Sequence, residues 1–206
     1  MPEETAFSDN ITIDALGKVG LIVIQLITPR LLIRDHILKD LPTHHGLFSS
    51  EKVMCFLPET MTNNLEQSRK NLQDAIDQID HPKRSRYFLR IEDRRTYGHI
   101  GEVGYTVTDF TPQGKLIDAG YFIQDAYWGQ GYATEAFREL IRFAFEEDDV
   151  YRISCGCLKE NAASERVIQK CGLIKETDFK EYQWHDGRLK DRVEYRLLRS
   201  EWLPSH

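Results

Sequence analysis

The stretch most able to do chemistry is Trp128-Gly129-Gln130-Gly131-Tyr132-Ala133-Thr134, set between an apolar strand and an amphipathic helix. A glycine-rich turn feeding a helix start leaves first-turn N–H groups without intrahelical partners, and the helix dipole favours negative charge there. Gly129 and Gly131 allow positive φ and a close approach of backbone to ligand. The expectation is a phosphate-bearing ligand over Gly129–Thr134. A P-loop needs Lys-Ser/Thr after its last glycine, and no lysine follows here. The dinucleotide fingerprint needs a third glycine where Thr134 stands, and an acidic residue ~20 positions on, where Arg152–Leu158 has none.

Other chemistry-bearing residues lie nearby. Asn161 and Ser164 open a second short helix downstream, and Glu102, Asp118 and Glu176 are carboxylates on or beside predicted strands. Four cysteines (Cys55, Cys155, Cys157, Cys171) show no Cys-x-x-Cys spacing and read as reduced core thiols. The His44-His45 pair has no partner at metal spacing and reads as exposed, so no metal site is expected.

The elements that must position these groups follow from periodicity. Residues 1–18 read as a loose leader, Val19–Ile27 and Leu31–Arg34 as strands split by Thr28-Pro29, and Asp40–Leu57 as one or two short helices. Asn63 with Glu66 suggests a capping box opening a helix whose Leu65, Leu72, Ile76 and Ile79 share a face, ended by His81-Pro82. Tyr87–Glu92, His99–Val107 and Leu116–Ile123 read as strands, with Asp109–Lys115 as a turn. From Ala133 the period changes to 3.6, with Ala136, Phe137, Leu140, Ile141 and Ala144 as the apolar stripe. Strand Tyr151–Leu158, a helix Ala162–Cys171 closed by Gly172, and a hairpin of Leu173–Tyr182 and Lys190–Leu198 complete the chain.

At 206 residues, 41 % hydrophobic and 29 % charged, one domain with a substantial core is expected. The net charge of −6 argues against nonspecific nucleic-acid binding. The acidic N-terminus lacks a signal-peptide pattern, and the nine apolar residues Val19–Ile27 fall short of the ~20 that span a bilayer, so a cytoplasmic location is the expectation.

The motif region resembles the GNAT superfamily of acetyl-CoA-dependent N-acetyltransferases. Its loop, Gln/Arg-x-x-Gly-x-Gly/Ala, is matched at Gly131 and Ala133. Trp128 departs from the usual first residue, a departure shared by the Rim-type branch of ribosomal-protein N-terminal acetyltransferases, whose Tyr-Trp-Gly-x-Gly-Tyr-Ala-Thr-Glu-Ala run is met by Tyr127–Ala136. Gly120-Tyr121, Asn161-x-x-Ser164, Val167, Lys170-x-Gly172-Leu173 and Thr28-Pro29-Arg30-Leu31 agree as well. The resemblance spans roughly residues 28–200 and implies one GNAT domain there, with 1–27 as an N-terminal extension. The implied fold class is α/β (α+β), with a mixed, mainly antiparallel central sheet flanked by helices.

The resemblance further implies acetyl-CoA as co-substrate, held by Gly129, Gln130, Gly131, Tyr132, Ala133, Thr134 and Asn161, Asn161 otherwise being a plain N-cap. A free N–H near Phe122 or Ile123, at a bulge that splays the strand, would polarise the thioester. Ser164 is the candidate acid for the leaving thiolate, because the position where many relatives carry tyrosine is Ile168. Glu176 and Glu102 rank ahead of Asp118 as bases, while Tyr121, Tyr127 and Trp128 read as packing residues. The acceptor is a protein N-terminus or a small-molecule amine, bound by Asp40–Leu57 and the terminal hairpin, with no nucleic acid and no membrane. The protein would act as monomer or homodimer, Val19–Ile27 offering an edge for pairing. Two rivals stay open at this point: an acyl-CoA-binding module without catalysis, favoured by Ile168, and a nucleotide-binding domain.

Overall fold

A computed structural model of the chain describes residues 11–13, 19–21 and 24–202, with side chains from residue 24 onward. Strands β1 (Ile11–Ile13) and β2 (Val19–Leu21) pair antiparallel as a separate two-stranded sheet. The main sheet has eight strands: β3 (Gln25–Ile27), β4 (Leu31–Asp35), β5 (Arg86–Asp93), β6 (His99–Thr111), β7 (Gly114–Ile123), β8 (Val150–Leu158), β9 (Ile174–His185) and β10 (Arg188–Leu198). Their spatial order is β3-β4-β5-β6-β7-β8-β10-β9. Every neighbouring pair is antiparallel except β7–β8. Parallel neighbours need a crossover, and helix α3 (Tyr132–Glu146) supplies it.

Helix α3 buries Ala136, Phe137, Leu140, Ile141 and Ala144, the predicted stripe, against the sheet. On β7 the odd-numbered residues face this helix: Tyr121 packs on Phe137. The even-numbered residues face the opposite layer, where Phe122 meets Phe48 of α1 (Leu41–Phe48). Helix α2 (Leu65–Asp77) lies in that second layer, buried through Ser68, Leu72 and Ala75. Helix α4 (Ala162–Lys170) ends as expected at Gly172, whose φ of +86° suits a residue without Cβ.

Several boundaries differ from the sequence reading. The expected strand Val19–Ile27 is two strands in two sheets, with residues 22–23 outside the described residues; most of the expected leader 1–18 lies outside them too. The domain boundary at 27/28 falls within the main sheet, because β3 pairs with β4 and Leu26 is buried in the core. Helix α2 is capped one residue late: Asn64 Oδ1 accepts from Gln67 N–H, while Gln67 Oε1 accepts from Asn63 N–H. Leu65, placed on the buried face, is 47 % exposed. The turn expected over Asp109–Lys115 contracts to Pro112-Gln113, since both strands run further and Gly114 takes φ +127°.

One buried ion pair ties the start of the sheet to β5. Asp35 is fully buried and receives both terminal nitrogens of Arg84 and the Ile24 N–H at 2.9 Å. Removing one partner strands a buried charge. Arg84→Met is therefore expected to lower unfolding stability by about 3–5 kcal/mol in urea melts. Arg142→Met, which breaks a half-exposed cluster with Glu139, Glu146 and Glu147, should change it by less than about 1 kcal/mol.

Candidate active site

The cleft begins where two neighbouring strands part. The β7–β8 ladder ends at Asp118↔Ser154, although β7 continues to Ile123 and β8 to Leu158. Gln124 N–H donates to Ile100 O on β6 at 2.9 Å. Strand alternation then turns the Phe122 amide toward β6 and the amides of Tyr121 and Ile123 into the gap. Ile123 is thus the residue whose N–H faces the opening, and Phe122 contributes its side chain. Among the described residues the β6–β7 ladder shifts register at Val107/Asp109 and the β7–β8 ladder at Lys115/Leu116, neither at this strand end where the bulge was expected. The Ile123 carbonyl, also in the gap, accepts the Trp128 indole N–H at 2.7 Å.

The loop predicted to hold phosphate stands at one end of this gap. Gly129 and Gly131 have φ of +74° and +82°, the left-handed region that side chains rarely adopt. Gly131 is the N-cap of α3 with no side-chain cap, and Glu135 N–H to Gly131 O is the first helical bond. Among the described residues, the amides of Gly129 to Thr134 donate to no protein acceptor. Orphaned amides around a helix start, opening on a cleft, fit the diphosphate of acetyl-CoA.

A clamp holds the loop open. Glu135 Oε1 accepts from Thr28 Oγ1 (2.6 Å) and Arg30 N–H (3.0 Å), and Glu135 Oε2 from Arg30 Nε (2.6 Å). Arg30 also donates to Gln130 O at 2.9 Å and lies 4.2 Å from the Tyr132 ring centroid. These contacts use side chains, leaving the loop amides free.

Across the gap, α4 presents Asn161 and Ser164. Asn161 Oδ1 caps the helix by accepting Ser164 N–H at 3.1 Å. Ser164 Oγ lies 2.9 Å from the Tyr121 hydroxyl, which is also 3.2 Å from the Ser164 carbonyl. Burial pushes the Tyr121 phenol well above its ordinary range, keeping it protonated. Tyr121, read as packing, therefore puts a second hydroxyl beside Ser164. Its odd-numbered position on the α3 face of β7, read together with the gap toward β8, is the signal that points to this role. Ile168 points into the core and is fully buried. Burial raises the cleft cysteine Cys157 to about 11 and the buried Cys171 to about 12, which leaves them as inert thiols.

The carboxylates fall in three different places. Glu176 is exposed on β9, paired with Arg152, and does not line the cleft. Glu102 does not line it either: it shares a face with its cross-strand partner Phe122 but is buried under α1. Its Oε1 contacts His44 Nδ1 at 2.6 Å and its Oε2 is 3.4 Å from His36 Nε2. His44, expected to be exposed, is buried, because α1 turns it onto β6. Asp118 stands on the last pair of the β7–β8 ladder, on the face of Gly120 and Phe122, and like the other two is not among the residues that line the cleft. Burial and the neighbouring Glu194 raise its pKa.

The cleft is a cavity of about 500 Å³ running from the loop to the segment Lys52–Leu57, with Ile123, Trp128 and Ser164 on its walls. The geometry makes a specific demand of Gly131. Gly131→Ala must hold a methyl-bearing residue at left-handed φ, at a cost of about 1–2 kcal/mol. It is expected to weaken CoA binding about tenfold in calorimetry, while Gly46→Ala, in open space on α1, leaves binding unchanged.

A profile of the acetyltransferase (GNAT) domain matches residues 30–174. The uncharacterized N-acetyltransferase YnaD of Bacillus subtilis (strain 168) is 28 % identical, over 86 % of this chain and 99 % of its own. The ribosomal-protein-S5-alanine acetyltransferase of Vibrio fischeri has the same fold, with a TM-score of 0.76 at 20 % identity over 88 % of this chain and 100 % of that one. The spermidine N-acetyltransferase of Vibrio cholerae, solved with CoA and spermine, gives 0.74 at 18 % identity over 84 % and 98 %. The profile covers more than half of the sequence and takes in both α3 and α4, which bracket the cleft, so the chain belongs to the GNAT family of acetyl-CoA-dependent N-acetyltransferases.

Proposed function

We propose that this acetyltransferase acts on a single primary amine borne on an apolar or acidic body, with a protein N-terminus as the first case and a small monoamine as the second. The charge on the cleft wall carries this reading. Its charged lining residues are Lys52, Arg166, Lys170 and Arg192, all basic. A polyamine places several ammonium groups along its length and needs several carboxylates to seat them. The acceptor end, with Val53, Phe56, Leu57 and Trp128, suits an apolar residue behind the amine.

Acetyl-CoA, when bound, supplies a thioester carbonyl open to attack by the amine. The amides of Gly129 to Thr134 hold its diphosphate, and the Ile123 N–H is the donor for the carbonyl oxygen as charge develops there. A preorganised donor of this kind contributes several kcal/mol. Asn161, with its Oδ1 used in capping, has its NH₂ left to orient the pantetheine arm or a water. Ser164 and Tyr121 hold a proton ready for the departing thiolate, so the missing tyrosine at Ile168 does not leave the site without a phenol. Asp118, on the last β7–β8 pair, receives the ammonium proton through intervening water, a task suited to a carboxylate with a raised pKa. Glu102, buried under α1, and Glu176, paired with Arg152 on β9, have no part in this scheme.

The catalytic unit runs as one domain from β3 to β10. A cytoplasmic setting is supported by the four unpaired cysteines. No helix among the described residues is long and apolar enough to cross a membrane. The scheme uses neither nucleic acid nor a membrane surface, and works in a monomer or a homodimer.

An acceptor panel tests the specificity. Thiol release from acetyl-CoA should be faster with peptides bearing an apolar or acidic second residue than with spermidine; preference for spermidine would refute the proposed acceptor class. For the base, Asp118→Asn is expected to lower kcat by about 10²-fold or more while leaving the KM for acetyl-CoA unchanged. The wild-type rate should fall as pH drops through the raised Asp118 pKa, and an unchanged acid limb in Asp118→Asn would rule that role out.

A further inference from the structure

The buried cluster under α1 contains more negative charge than its arginines balance. Arg34 donates to both oxygens of Asp40 (2.8 and 2.9 Å) and to Glu92 (2.6 Å), and Arg90 donates to Glu92 (2.6 Å). Glu102 is the third buried carboxylate, which leaves three carboxylates against two guanidiniums. Burial of an uncompensated charge is costly, so a further cation belongs beside Glu102.

The two histidines at Glu102 are arranged as ligands. His44 Nε2 lies 3.0 Å from Asn71 Oδ1. Its Nδ1 faces Glu102 Oε1 at 2.6 Å, a separation that needs a proton between the two atoms when no metal is there. His36 repeats the pattern: Nδ1 lies 3.5 Å from Asp40 Oδ2, and Nε2 lies 3.4 Å from Glu102 Oε2. Both contacts exceed hydrogen-bond length, and both His36 nitrogens are buried without a hydrogen-bond partner. Positive charge must therefore lie between the two nitrogens and this carboxylate, as protons or as a metal ion.

We propose that His36 Nε2, His44 Nδ1 and the Glu102 carboxylate form a site for one divalent cation of zinc type. The three ligand groups lie within 4.8 Å of one another. Tetrahedral bonds of ~2.1 Å separate neighbouring ligand atoms by roughly 3.4 Å, the distance found between His36 Nε2 and Glu102 Oε2. The shorter His44–Glu102 contact, 2.6 Å, lengthens toward that value on binding. Asp40 and Asn71 supply the outer acceptors that orient metal-bound imidazoles. Two imidazoles and a carboxylate suit zinc, the second Glu102 oxygen completes four-coordination, and full burial leaves no path for substrate or dioxygen, so the centre is structural. It joins α1 to β6 directly behind Phe48 and Phe122, and so fixes the floor of the acceptor side.

The test uses the full chain, stripped with chelator and returned to Zn²⁺ or Co²⁺. One equivalent should bind with Kd below ~1 µM by chelator competition. Co²⁺ should give the visible d–d bands of a low-symmetry four-coordinate centre, and zinc should raise the melting temperature. His36→Gln and His44→Gln should each weaken binding by more than ~100-fold, Asn71→Ala by about 10–100-fold, and His45→Gln not at all. Wild-type protein with no uptake and no Co²⁺ bands would overturn the proposal whether or not the variants fold. Undiminished binding in both His36→Gln and His44→Gln would overturn it too, by placing the metal elsewhere.

Discussion

The structure depends on the parting of β7 from β8 beyond Asp118 and Ser154. Two paired strands satisfy each other's amides and carbonyls; where they separate, those groups need other partners or a ligand. One carbonyl in the gap takes the Trp128 indole, while the Ile123 N–H is left facing the opening. The same divergence puts the start of α3 and the start of α4 on opposite sides of one cleft, because α3 leaves from β7 and α4 from β8. A parallel pair joined through a helix is what permits this, since a hairpin would have kept the two strands paired up to their turn.

The loop and the gap depend on each other through polar contacts made by side chains. Glu135 reaches back from the first turn of α3 to Thr28 and Arg30, and Arg30 reaches forward to the Gln130 carbonyl. Holding the loop this way uses no loop N–H group. A loop closed by its own main-chain bonds would have been equally stable and useless for binding phosphate. The capping of α4 by Asn161 follows the same economy, occupying one end of an amide side chain and leaving the other.

The two layers on either side of the sheet differ in character. The α3 face is apolar throughout, with Phe137, Leu140 and Ala144 against β-strand side chains. The α1 face holds Arg34, Arg90, Asp40, Glu92, Glu102 and three histidines, all buried. Burial of so many charges gives little net stability by itself and makes the layer intolerant of partial removal. It sits directly behind Phe122, on the side where the acceptor approaches, so rigidity there has a direct bearing on how the amine is placed.

Local signals made much of the molecule legible. Glycines before a helix start, a 3.6-residue stripe from Ala136 to Ala144, and Gly172 after a short helix each report a backbone conformation set by near neighbours in sequence, and each stands as expected. The elements whose ends moved, such as the cap at Asn64 and the tight Pro112-Gln113 turn, are ones where two adjacent residues compete on nearly equal terms. Where each candidate carboxylate stands was not decided locally. Glu102, Asp118 and Glu176 sit on strands with similar alternation, and only the order of strands and the turn of α1 over β6 buries the first, exposes the third and puts Asp118 on the last β7–β8 pair. Partners such as His36, His44 and Tyr121 are likewise set by contacts between distant segments. The sequence by itself determined where a phosphate could be gripped, because helix starts are local; tertiary structure alone decided which acids, bases and buried histidines share a neighbourhood, because charge and burial depend on what the rest of the chain brings near.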